Sequence, residues 1–198
     1  MENSLDAGAR RIDVIIRDGG RTLISVDDDG SAMDADELVM AVDRHATSKL
    51  PDDDLLDIKS LGFRGEALPS IGAVSRLHIT SRTAGADSAW SLTVAGGDKG
   101  VPEPAAHPSG TRVEIRDLFF ATPARLKFLK APRTELNHAV DALKRLAMAH
   151  PEVAFSLNDG GRTVLKLAAG TGDLFNALLE RLSAVMGRDF ADNAMPID

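Results

Sequence analysis

Four short stretches of this 198-residue chain combine residue types that could hold a ligand. The first is Glu2-Asn3-Ser4-Leu5-Asp6-Ala7-Gly8. Asn3 and Asp6 stand three apart, hence on one face of a helix that ends at Gly8. An amide oxygen beside a carboxylate suits a hard cation such as Mg²⁺ with its waters, and also an ordinary capping pair. The second, Asp27-Asp28-Asp29-Gly30-Ser31-Ala32-Met33, closes a strand and precedes a helix. A carboxylate there can accept a hydrogen bond from an exocyclic amino group, and Gly30 lets backbone approach a flat ring; an acidic solvated turn reads the same way. The third, Arg44-His45-Ala46-Thr47-Ser48-Lys49, offers two hydroxyls and an ammonium in succession, a phosphate-contacting set. The fourth, Leu61-Gly62-Phe63-Arg64-Gly65-Glu66-Ala67-Leu68, opens a short helix behind two glycines, where free N–H groups attract phosphate.

Several familiar chemistries are excluded. There is no cysteine, so no disulfide framework, thiolate zinc site or cysteine nucleophile. Read as a calcium loop with Gly30 sixth, the second stretch puts Ser25 first and Asp36 twelfth, without the first-position Asp or the bidentate Glu. His45 has no serine and carboxylate pattern around it that would make a hydrolytic triad. The Gly62 stretch matches neither the P-loop nor the dinucleotide fingerprint. A fifth stretch, Asp117-Leu118-Phe119-Phe120-Ala121-Thr122-Pro123-Ala124-Arg125, links a strand to a helix; its apolar residues pack and leave Arg125 and Lys127 exposed.

The elements that must position these residues follow from periodicity. Ile12, Val14 and Ile16 alternate, Asp18-Gly19-Gly20 follows, and residues 23–26 are apolar, which predicts a hairpin. Residues 34–44 suit a helix with acids in its first turn, and 50–70 a long, mobile, partly helical connection. Strands are expected at 77–80, 89–94 and 111–115, with a loop over 102–110. Leu136, Val140, Leu143 and Ala147 stripe a helix over 134–149, and 153–157 with 163–167 form a second hairpin. Asp173 caps a last helix that turns Leu174, Leu178, Leu182 and Val185 inward and stops at Gly187. Hairpins with helices between them predict an α+β two-layer sandwich, a mixed sheet covered on one face by helices.

Net charge is −7, against indiscriminate binding of a polyanion, but the charge is uneven. Residues 27–57 hold eleven acids and two bases, whereas 112–150 hold eight bases and four acids, a balance of +4 that hints at a polyanion met by one face. No apolar run approaches the ~18 residues of a membrane span, and Met1-Glu2-Asn3-Ser4 is not the start of a secretory signal. The expectation is an intracellular protein, cytoplasmic if bacterial, with no membrane partner.

In this order, residues 2–8, 28–30, 44–49, 62–68, 110–111 and 117–125 closely resemble the N-terminal ATPase region of the MutL family of DNA mismatch-repair proteins. That family shares a superfamily with DNA gyrase, histidine kinases and a heat-shock chaperone. Asp-x-Gly is common to the superfamily; residues 45–49, 62–68 and Thr122-Pro123-Ala124-Arg125 belong to the mismatch-repair branch. The resemblance implies a Bergerat-type ATP-binding fold over 1–170 and the start of a second, transducer-like domain over 171–198. It implies ATP and Mg²⁺, with Asn3 holding the metal between phosphates and Asp28 accepting the adenine amino group. Gly30 and Met33 would line the base pocket, with Ala7 also in contact and Thr111 beneath the base. Thr47, Ser48 and Lys49, with Gly62, Phe63, Arg64, Gly65, Glu66, Ala67 and Leu68, would wrap the phosphates under a lid over 50–68. Lid closure would promote homodimerisation, and Arg125, Lys127, Lys130 and Arg133 would face DNA, bound weakly and without sequence preference. A mismatch-recognition protein would be a further partner.

Three departures from the family pattern set further expectations. Ala32 replaces the second glycine of Asp-x-Gly-x-Gly, which at a positive φ would cost roughly 1 kcal/mol. The family's general base, a Glu four residues before Asn3, falls before Met1, and Glu2 points about 100° away from the required face. The second domain's phosphate-contacting lysine lies beyond residue 198. The resemblance therefore implies a piece truncated at both ends that binds ATP weakly and does not turn it over, or an interaction fragment of the same fold that does not hydrolyse.

Overall fold

The computed structural model describes residues 1–43 and 65–194. Its strands are β1 (Arg11–Arg17), β2 (Leu23–Asp28), β3 (Arg76–Arg82), β4 (Ala89–Ala95), β5 (Asp98–Lys99), β6 (Glu103–Ala105), β7 (Gly110–Arg116), β8 (Ala154–Asp159) and β9 (Arg162–Leu167). They form a nine-stranded sheet in the order β5-β4-β3-β7-β2-β1-β8-β9, with β6 paired to β4. β1 and β8 run parallel and the other pairs antiparallel, so the sheet is mixed as expected. The loop expected over 102–110 contains β6, whose Pro104 sits on a strand outside the main path of the sheet, where a missing donor is tolerated.

Side-chain alternation assigns the two faces. Register places Ile16, Ile24, Ile115, Leu77 and Val94 in one row across five strands, and Val14, Val26, Val113, Ile79 and Leu92 in the next. These rows meet helices α2 (Ala35–Ala41), α3 (Ala67–Gly72) and α4 (Pro132–Ala149), burying Leu38, Val42, Leu143 and Ala147. The other face is polar: Asp27 pairs with Arg112, Asp13 accepts from Ser156, and His78 bridges Thr80 and Thr93. One covered face and one polar face are what the alternating strands require.

Two helices end the described chain, α5 (Leu174–Met186) and α6 (Arg188–Asn193). Asp173 caps α5, accepting from the Asn176 N–H at 3.0 Å, and Gly187 ends it at φ 98°. The inward face differs from the expected leucine stripe, since Leu178 is exposed and Ala177 and Arg181 are buried instead. The Arg181 guanidinium donates to the carbonyls of Ala147, His150, Pro151, Val153 and Ala168 at 2.7–3.3 Å. It thereby joins the Ala147 carbonyl at the C-terminal end of α4 to the turn that follows and to Ala168. A fork of fixed donors can serve five acceptors at once, and no leucine can.

Candidate functional site

The site sits where the apolar rows of the covered face stop. One step beyond Val14, Val26, Val113, Ile79 and Leu92, register brings together Ile12, Asp28, Thr111, Ser81 and Trp90. Three adjacent strands thus turn from valine and isoleucine to a carboxylate and two hydroxyls at the same level. Asp28 and Thr111 are 7% and 6% exposed and Ser81 is fully buried, so these are interior polar groups rather than a solvated turn. Interior polar groups must find partners. The Ser81 hydroxyl accepts from the Met33 N–H at 2.8 Å and shares a 2.8 Å hydrogen bond with Thr111.

The three successive aspartates have separate tasks. Asp27 points to the polar face and forms an ion pair with Arg112. Asp29 accepts from the N–H groups of Arg10 and Arg11 at 2.8 Å each and so closes the turn onto the start of β1. Asp28 alone faces the site, accepting from the Gly30 N–H at 3.1 Å and from the Ser4 hydroxyl. Burial pushes its carboxyl above the ordinary aspartate value, and the bonds from Ser4 and Gly30 only partly offset this. A desolvated carboxylate oxygen with lone pairs to spare is poised for a ligand N–H donor.

Helix α1 (Glu2–Asp6) forms the wall of the site. It docks through the Ser31 N–H, which donates to the Ala7 carbonyl at 2.8 Å, and through Ser4, which is 5% exposed. Gly30 is a close-approach glycine. A β-carbon there would lie 2.8 Å from the Ala7 carbonyl oxygen and 2.9 Å from the Ala7 β-carbon, so its smallness admits α1. Gly110 is still more constrained, with φ 125° and an added β-carbon only 2.0 Å from the Asp28 carbonyl oxygen. Ala32 is not among the positive-φ residues of the described chain, so the strain expected from replacing the family's second glycine does not arise. Asn3 lies on α1 one residue before Ser4, and Met33 follows the Asp28 turn and packs on the second core cluster.

Of the phosphate-contacting set, Thr47, Ser48, Lys49, Gly62, Phe63 and Arg64 lie outside the described residues. Gly65 adopts φ 62° ahead of α3, Glu66 occupies the N-cap position, and Ala67 and Leu68 form the first turn, with Leu68 packed on the core. Among the described residues no three His, Asp or Glu side chains form a cation cage, so a metal here would rely on the ligand's own oxygens, water and an amide such as that of Asn3. The residues the sequence did not single out are Ser4 and Ser81. Ser81 carries a signal, since it continues the inward series Leu77, Ile79.

The basic stretch is split by the fold. Arg112 and Arg116 lie on the polar sheet face, paired with Asp27 and Glu114. Arg125 and Lys127 stand exposed on a 3₁₀ turn (Pro123–Phe128), with Lys130 just beyond and Arg133 in the first turn of α4. Phe128 is 81% exposed beside them, and the Arg125 guanidinium lies 6.0 Å from the Phe119 ring. Thr111 and Arg116 lie near opposite ends of β7, roughly 17 Å apart along the strand, and the turn that carries this cluster follows the Arg116 end in the chain.

Residues 1–114 match the model of the histidine kinase-, DNA gyrase B- and HSP90-like ATPase family. The chain belongs to that family. The match spans Asn3, Asp28, Gly30, Met33 and Thr111, the residues that the fold gathers around the polar end of the sheet. Over its whole length the chain is 66% identical to the DNA mismatch repair protein MutL of Paramagnetospirillum magneticum and 66% identical to that of Rhodospirillum rubrum. It spans about a third of those relatives, 33% and 32% of their lengths. Among solved structures it is similar to the Aquifex aeolicus MutL ATPase domain complexed with ADP, with a TM-score of 0.76 and 32% identity. That likeness covers 93% of this chain and 64% of the other. The resemblance to MutL and the α+β architecture read from the sequence are therefore both borne out. No helix of the described residues is long and apolar enough to cross a membrane.

Proposed function

We propose that this chain is the ATP-binding region of a MutL-type mismatch-repair protein, using Mg²⁺-ATP binding to gate homodimerisation and couple mismatch recognition to repair. The observation that carries the reading is Asp28, a buried acceptor-only carboxylate at the polar end of a sheet otherwise covered by apolar packing. Such a group selects a base with an exocyclic amino donor and repels a 6-oxo group, because a carboxylate has no proton to offer. Adenine fits and guanine does not. Thr111 and Met33 flank it, and Ala7 and Gly30 close the α1 side. Asn3 would hold Mg²⁺ through its amide oxygen, and the metal would neutralise phosphate charge. Thr47, Ser48, Lys49 and residues 62–68 would wrap the phosphates. Arg125, Lys127, Lys130 and Arg133 would meet DNA through its phosphates, weakly and without sequence preference. A mismatch-recognition protein would be a partner of the longer protein, working in the cytoplasm.

Calorimetric titration with ATP, ADP and GTP in the presence of Mg²⁺ tests this. The expected result is binding of both adenine nucleotides and at least tenfold weaker binding of GTP, since an unpaired buried carboxylate facing an oxo group costs more than ~1.4 kcal/mol. Equal affinity for ATP and GTP would overturn the assignment of the base site.

A further inference from the structure

We propose that Ser81, which the reading above gives no role, is the positioning residue that fixes Thr111 as a hydrogen-bond donor into the adenine site. This rests on the proposed adenine assignment. The Met33 backbone N–H can only donate, and at 2.8 Å it occupies one lone pair of the Ser81 hydroxyl. Ser81 then has one proton to place. Its two acceptors are the Thr111 hydroxyl at 2.8 Å and the Gly110 carbonyl at 3.5 Å, and a bond at 3.5 Å is at the limit of attraction. That proton is assigned to Thr111, the nearer of the two. A hydroxyl that accepts from one side turns its own proton elsewhere, here toward the cross-strand neighbour Asp28 and whatever the carboxylate binds.

The chain of bonds therefore has a direction: Met33 N–H to Ser81, Ser81 O–H to Thr111, Thr111 O–H into the site. Beside it stands Asp28, which only accepts. An acceptor next to a donor is the complement of the adenine edge, whose 6-amino group donates and whose ring N1 accepts. Guanine presents the reverse. Ser81 is fully buried, so no water competes for its hydroxyl, and neighbouring hydrogen bonds in such a chain reinforce one another. The sequence from Asp34 to Ala41 also gains by this, because Met33 is held at the entry to α2 by the same hydroxyl.

The test compares ATP with 1-deaza-ATP, which keeps the 6-amino donor and lacks the ring-nitrogen acceptor, by calorimetry with Mg²⁺ on the 198-residue chain. One net hydrogen bond corresponds to a preference of about fivefold for ATP. Ser81→Ala, Thr111→Val and the double variant should each bring the ratio to within about twofold of unity, the double no further than either single. Ser81→Cys, whose thiol is a weaker donor, should fall between and keeps the site occupied if the alanine variant folds poorly. The ratio is the readout because loss of the Met33 bond alone weakens both nucleotides alike. A ratio of unity in the unmodified chain, or a full ratio retained in Ser81→Ala or in Thr111→Val, overturns the proposal. Failure of the adenine reading is separate: it would appear as unchanged ATP affinity in Asp28→Asn.

Discussion

Asp28→Asn should make the nucleotide-free protein more stable while weakening its hold on ATP. The variant keeps the shape of the side chain, and its amide oxygen can still accept from the Gly30 N–H and the Ser4 hydroxyl. What it removes is a charge that is 7% exposed. Burial raises the Asp28 carboxyl above the ordinary value of 3.8, so the folded chain holds that proton more tightly than the unfolded chain does. The sign follows. The contribution of Asp28 to stability is greatest below the ordinary value, declines as pH rises through the raised folded value, and is unfavourable at neutral pH. Relieving it should gain on the order of 1 kcal/mol at pH 7, the usual size of gains at sites where stability was sacrificed to function. The loss in binding should be larger, about 1–3 kcal/mol or roughly 5- to 150-fold in Kd, because the amide can turn a donor toward the adenine amine. Urea unfolding between pH 4 and 8 without nucleotide, with calorimetry at pH 7, measures both. A variant that is less stable at pH 7, with the decline between acid and neutral pH unchanged, would refute the electrostatic reasoning.

Gly30→Ala should cost about 1–3 kcal/mol and weaken ATP binding, because its β-carbon would displace α1 from 2.8 Å; urea midpoints and calorimetry check both. Ala32→Gly, which restores the family's glycine, should not improve ATP affinity and should lose about 0.4–1 kcal/mol, since no positive φ calls for glycine there. Arg181→Met should cost on the order of 3 kcal/mol in urea unfolding by removing the buried guanidinium that five carbonyls share. Reversing Arg125 and Lys127 to glutamate should lower DNA affinity and flatten its dependence on salt by about two phosphate contacts; affinity that barely moves between low and physiological salt would return this face to solvated surface.

The sheet was legible because β-strands declare their faces by parity. Ile12, Val14 and Ile16, or Leu77 and Ile79, can only be satisfied by putting every second residue under helices. The same parity marked the site, since Asp28, Thr111 and Ser81 are the polar residues that stand where each inward series should continue with an apolar one. Asp28 and Thr111 were singled out from motifs; Ser81 was not, because the strand was expected to end one residue earlier, and periodicity does not fix where a strand stops. Arg181 was illegible for a different reason. Its buried position depends on carbonyls from the end of α4, the 150–153 turn and Ala168, a tertiary coincidence with no local signature. Gly30 shows the same limit: a glycine advertises close approach, but that the Ala7 end of α1 is one of its neighbours is set by the tertiary structure.

The fit of Ala7 against Gly30 also joins α1 to the Asp28 turn. α1 has five residues, too few to hold its conformation by its own hydrogen bonds. Its place is set by Ser4 on Asp28, by the Ala7 carbonyl on the Ser31 N–H, by the fit of Ala7 against Gly30 and by Met1 and Leu5 packed on the first core cluster. The first three of these anchors belong to the turn that would receive the base, and the helix they anchor carries Asn3. A ligand amine that takes up the charge on Asp28 changes the balance of the Ser4 bond, and whatever shifts α1 shifts Asn3 with it. In the proposed reading the base end and the phosphate end would be linked through one turn of helix, and binding energy gained at Asp28 would be felt where Asn3 would meet the metal. The cost of burying the Asp28 carboxyl in the free protein is the other side of that linkage, because a fully satisfied Asp28 would have no reason to respond to a ligand.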